Sequence, residues 1–98
     1  MPICNIIETP GRTPEQVDQI EAHLRTTGPT PPEGCRLVVR GLERVVTVWD
    51  AVEDRDRFFT ERLGPAYEAT GLSLDDADRA HFDVDMIVAG DLVGTVAA

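Results

Sequence analysis

Arg44-Val45-Val46-Thr47-Val48-Trp49-Asp50-Ala51-Val52-Glu53 decides how this chain is read. Three valines and a threonine between Arg44 and Trp49 are strand-forming, because branched side chains pack well on a pleated surface. The run ends on the only tryptophan and then changes period. Asp50 and Glu53 have the N-cap and N3 spacing of a helix start. Val52, Phe58, Phe59 and Leu63 continue as an apolar stripe. A strand that hands a large aromatic directly to a helix is a structural junction and a pocket wall.

Working outward, Pro2–Glu8 reads as a first strand, closed by Thr9-Pro10-Gly11. Thr13-Pro14-Glu15-Gln16 opens a helix: a capping threonine, a proline suited to the first helical position, and a capping-box glutamine. Val17, Ile20 and Leu24 form its stripe, and Gly28 with Pro29–Pro32 stops it. Thr27–Gly34 is the most loop-like stretch. Cys35–Arg40 is a second strand, joined to the third, Arg44–Trp49, by the short Gly41-Leu42-Glu43 turn. The second helix is expected to break at Gly64-Pro65, because proline removes a backbone donor, then to restart and end at Gly71. Ser73–Ala80 is acidic and holds at most one helical turn. His81–Val88 alternates and reads as the fourth strand.

The order β-α-β-β-α-β is the ferredoxin-like α+β arrangement, a four-stranded antiparallel sheet with both helices on one face. The strands are rich in valine and isoleucine, so the other face needs a cover. A second copy of the same sheet is the economical one, giving a homodimer and an α+β barrel. The 98 residues fit one domain, 1–98, whose apolar, glycine-broken tail 90–98 either frays or covers the partner subunit.

Composition excludes several classes. Eighteen acids against nine bases give a net charge of −9, which disfavours nucleic acid and anionic membrane as partners. Cys4 and Cys35 match no metal or redox spacing and sit in apolar runs as small hydrophobes. With no signal peptide and no apolar run near the roughly 20 residues of a membrane span, a cytoplasmic location is expected.

The strand ending Val46-Thr47-Val48-Trp49-Asp50 and the helix end Glu61-Arg62-Leu63-Gly64-Pro65-Ala66 resemble the dimeric α+β barrel superfamily. That group includes antibiotic biosynthesis monooxygenase-like proteins, haem-degrading monooxygenases and many small actinobacterial proteins of unassigned role. The likeness spans residues 1–88, and its motifs report fold better than chemistry. It implies a small-molecule enzyme of secondary metabolism, monooxygenase- or cyclase-like, with no cofactor, oxidising an electron-rich aromatic or polyketide-like substrate. Asn5 and Trp49 match the first-strand asparagine and third-strand tryptophan of such enzymes. Asn5 would orient a substrate oxygen or stabilise an oxyanion, and Trp49 would form the pocket wall. Haem-degrading relatives carry an axial histidine about ten residues beyond the tryptophan; this chain has Phe59 there, which disfavours haem.

Strand parity gives a test independent of family. Asn5 shares a face with Ile3 and Ile7, Thr47 and Trp49 share one with Val45, and His81, Asp83 and Asp85 share one with Ile87. If these mixed faces coincide, their polar groups and Trp49 line one cavity, with Phe59, Tyr67 and His23 as further ligand contacts. His81 with Asp83 has the spacing of a carboxylate-poised base; adding Asp85 makes a row able to hold a divalent metal. The same residues also suit a solvated strand edge, for which no metal is needed. Arg36 and Arg40 share a face of the second strand and could bind an acidic substrate, though they are expected to pair with surplus acids, and Glu53–Arg57 reads as a solvated helix face. No complete catalytic motif is present, so a non-catalytic dimeric ligand-binding or accessory protein stays beside the enzyme reading.

Overall fold

The computed structural model describes residues 1–75 and 77–88. Its elements run β1 (Ile3–Glu8), α1 (Pro14–Thr27), β2 (Cys35–Arg40), β3 (Arg44–Trp49), α2 (Val52–Phe58), a π-helical turn (Phe59–Leu63), α3 (Gly64–Thr70) and β4 (Asp78–Asp83). The sheet order is β2-β3-β1-β4, antiparallel throughout. This is the ferredoxin-like α+β fold. The tail 90–98 lies outside the described residues. No described helix is long and apolar enough to cross a membrane.

Local chemistry accounts for most boundaries. At α1, Gln16 N–H donates to Thr13 Oγ1 at 3.3 Å and Thr13 N–H donates to Gln16 Oε1 at 2.9 Å, so two otherwise orphaned amides are satisfied reciprocally. After Phe58 the α-helix cannot continue unchanged, because Pro65 has no N–H to offer the Glu61 carbonyl. The backbone widens by one residue instead. Gly64 N–H reaches the Phe59 carbonyl five residues back, which makes the π turn, and α3 resumes as expected. Gly71, at φ 72°, ends α3 in the left-handed conformation.

Two boundaries differ from the sequence reading. Asp50 does not cap α2: Ala51 holds that position without a side-chain bond, and the Asp50 carboxylate is held by Arg36. The fourth strand is Asp78–Asp83, not His81–Val88, so part of the acidic stretch is strand. Its length is set by β1, which pairs Glu8 with Asp78 through Ile3 with Asp83. Val84 N–H still donates to the Pro2 carbonyl at 2.8 Å, one residue past the paired strand.

Register places Ile3, Asn5 and Ile7 beside Trp49, Thr47 and Val45 on one side, and beside Asp83, His81 and Arg79 on the other. A bulge between Cys35 and Leu37 takes up Arg36 as an extra residue and brings Cys35, Val38 and Arg40 onto the same face. That face meets the helices. Ile7 packs with Ile20, Leu63 and Ala66; Ile3, Cys35 and Trp49 pack together beside Phe58. The opposite face carries Cys4, Ile6, Leu37, Val39, Val46, Val48 and Phe82, and no described helix covers it.

Candidate functional site

A cleft of about 160 Å³ lies between α1, the π turn and strands β2 and β3. Each wall follows from the local fold. The helix stripe supplies Ile20 and Leu24, the π turn supplies Phe59, α2 and α3 supply Phe58 and Tyr67, and β3 supplies Thr47 and Trp49. Trp49 is fully buried and borders the cleft from within the core. Its indole N–H donates to Thr47 Oγ1 at 2.8 Å, and its ring lies 5.4 Å from that of Phe58. The indole is thereby satisfied and fixed.

Of the residues singled out from sequence, Thr47, Trp49, Phe59 and Tyr67 border this cleft; Asn5, His23, His81, Asp83 and Asp85 do not. The polar strand faces do coincide, since Thr47, Asn5 and His81 pair in one row across β3, β1 and β4. Sharing a face does not bring them into one cavity. Asn5 is buried at 3% exposure under Arg55, whose Nη1 donates to Asn5 Oδ1 at 3.5 Å. Its Nδ2 has no partner among the described residues. His81 and Asp83 lie exposed on the edge strand, and Asp85 lies beyond its end. His23 is half-buried on α1, with Nδ1 enclosed and without a partner among the described residues. Among the described residues, no three His, Cys, Asp or Glu side chains come together as a metal site.

Sequence reasoning singled out Arg40 but missed Arg12, Arg25 and Arg62. Arg12, Arg25, Arg40 and Arg62 all border the cleft. Arg62 clamps the end of α1 by donating to the Leu24 carbonyl at 2.7 Å, the Pro29 carbonyl at 2.9 Å and Thr27 Oγ1 at 3.2 Å, with its guanidinium over Phe58. A signal was available: Arg62 stands four residues after Phe58, on the inward stripe. Arg12 sits 5.2 Å from the Tyr67 ring centre and donates to the Ser73 carbonyl. Arg36 and Arg40 do meet acids, Asp50 and Glu21. Arg55, read as part of a solvated face, turns inward instead. Its side chain is 16% exposed, because the buried Asn5 oxygen requires a donor.

The thiols take no part in this chemistry. Burial pushes Cys4 above its ordinary value, and burial, reinforced by the Asp50 charge, does the same for Cys35 despite hydrogen bonds with the Leu37 and Val48 backbone. Both are protonated near neutral pH and free of disulfide.

No family model matches the chain. No curated protein matches it. Among solved structures it is similar to the crystal structure of a candidate antibiotic biosynthesis monooxygenase from Chloroflexus aurantiacus J-10-fl. The TM-score is 0.45 at 20% identity, covering 94% of this chain and 99% of that one.

Proposed function

We propose that this chain binds a small aromatic, polyketide-like molecule in the cleft and acts on it without a prosthetic group, as a monooxygenase- or cyclase-like enzyme. One observation carries the reading: four of the five aromatic side chains, Trp49, Phe58, Phe59 and Tyr67, gather around a single cleft. Its volume decides the ligand's scale. A dry apolar cavity of about 150 Å³ holds one benzene. The 160 Å³ space therefore encloses one ring, and a larger ligand extends past its mouth.

In the catalytic reading, the Tyr67 hydroxyl orients a ring oxygen from inside the cleft. Asn5 lies outside the cleft, so its unpartnered Nδ2 would serve an oxyanion only where the bound state opens the cleft past Thr47, its neighbour in the strand row. The non-catalytic reading has its own support, since His81 and Asp83 stand on the exposed sheet edge, away from the cleft. The bare sheet face fits a second copy of this chain, so the protein is proposed to work as a homodimer.

A panel of one- and two-ring phenols and hydroquinones tests the function, with Trp49 emission reporting binding and oxygen uptake reporting turnover. Binding should shift Trp49 emission. Asn5→Ala should lower turnover by about 10²–10³-fold while leaving binding within a factor of a few. Binding without turnover selects the ligand-binding reading. No emission change with any member rejects both.

A further inference from the structure

We infer that the cleft selects an anionic aromatic ligand, an aryl acid, and that Glu21 is a built-in carboxylate standing where the ligand's acidic group binds. This rests on the proposed reading that the cleft takes an aromatic ring.

Charge distribution is the starting point. The chain carries eighteen acids and nine bases, yet four arginines and one acid, Glu21, border the cleft among the described residues. The overall balance is reversed there. A strongly acidic protein repels anions in general, so a local cationic lining marks where an anion is accepted.

The four arginines are not equivalent. Arg62 is committed to its three acceptors on and after α1, while Arg12 lies over Tyr67 and donates to the Ser73 carbonyl, its buried Nε without a partner among the described residues. Arg25 and Arg40 share one carboxylate: Arg40 Nη1 lies 2.6 Å from Glu21 Oε1, and Arg25 Nη2 lies 3.3 Å from Glu21 Oε2. Two guanidinium groups against one carboxylate leave a net positive charge at the mouth. Glu21 and Arg40 are 34% and 39% exposed, so their pairing is of the partly solvated kind that contributes little to stability. A ligand carboxylate can therefore replace Glu21 at little cost and gain a fork-shaped partner in Arg40.

Geometry links this anion position to the ring position. Glu21 lies one residue beyond Ile20, whose side chain is in the core, while Arg40 follows Val38 by one face-repeat on β2. The charged trio thus lines the same cleft from α1 and β2, beside the apolar residues that take the ring. An aryl acid fills both at once: ring inward, carboxylate outward.

The test uses the full chain with 2-naphthoate and its neutral isostere 2-naphthamide. Calorimetry measures affinity, and the NMR signal of the Trp49 indole N–H reports the location. We expect naphthoate to bind about tenfold more tightly at low salt, with the preference shrinking as salt rises. Glu21→Gln should raise naphthoate affinity several-fold and leave naphthamide unchanged. Arg40→Gln should abolish the preference, whereas Arg44→Gln, on the opposite sheet face, should preserve it. Equal binding of the two compounds, or an equal loss of preference with Arg44→Gln, overturns the inference and leaves the aromatic cleft standing. Failure of both compounds to bind overturns the inference together with the reading beneath it.

Discussion

Thr47 and Trp49 show how a single residue pair ties the fold to its cleft. The indole N–H is fully enclosed and has one acceptor, Thr47 Oγ1 at 2.8 Å. Thr47→Val keeps the shape and removes that acceptor, so a buried donor is left unpaired at a cost of about 1–3 kcal/mol. In a Trp49→Phe background no donor exists, and the same change should cost less than about 0.5 kcal/mol. Urea unfolding of the four proteins in this cycle should therefore give a coupling of about 1 kcal/mol or more. Equal costs in both backgrounds would show that the indole bond contributes nothing. The pairing of Thr47 with Trp49 was legible in the sequence, because alternation places them on one face. The sealing of Asn5 was not. Five charges in the stretch Glu53–Arg57 look like a solvated face, and only the tertiary approach of α2 to β1 turns Arg55 onto Asn5.

At the scale of elements, the loop before β2 is held by Gly34. It has φ +80°, and its carbonyl accepts from Asp50 N–H at 2.8 Å, which joins the loop to the start of α2. A Cβ there would lie 2.4 Å from Asp54 Cγ, whose carboxylate is engaged by Arg57 at 2.7 Å. Gly11 has the same φ of +80° but open space around it, which separates the two contributions to strain. Gly11→Ala should cost about 1–2 kcal/mol, the price of a left-handed backbone alone. Gly34→Ala should cost distinctly more, since Asp54 must also move; at about 4–8 °C per kcal/mol in a domain of this size, melting curves will separate them. Identical shifts would show that Asp54 yields freely. Element order was readable throughout because each helix and strand carries its own period and punctuation. The extent of β4 was not, since strand length is decided by the partner. The alternation of His81–Val88 does not record that pairing with β1 ends at Ile3 and Asp83.

For the whole molecule, the sheet face that no described helix covers decides what the chain packs against, although Cys4 and Val48 on it are buried. Phe82 and Val39 are each 54% exposed and Leu37 is 42% exposed, beside the apolar Ile6 and Val46. Such a patch is unusual for a monomer. The run Leu37-Val38-Val39 already hinted at this, because a strand apolar on both phases expects cover on both. The proposed cover is a second copy, packed face to face. Four strands about 4.8 Å apart and six residues of about 3.4 Å give a flat footprint of only about 400 Å², half of the roughly 800 Å² per partner in a standard interface. Side-chain relief adds area, and so should the apolar segment after β4, where Met86 and Val88 are 75% and 87% exposed. The expected species in sedimentation equilibrium is thus a dimer of twice the 10.7 kDa chain mass. Val39→Lys, which places a charge on the β2 side of this face, should yield monomer; Met86→Lys should raise the dissociation constant without abolishing the dimer. A wild-type chain that sediments as monomer at tens of micromolar, or a Val39→Lys protein that stays dimeric, would move the partner surface elsewhere. If the dimer holds but Met86→Lys leaves its affinity untouched, the sheets alone carry the contact.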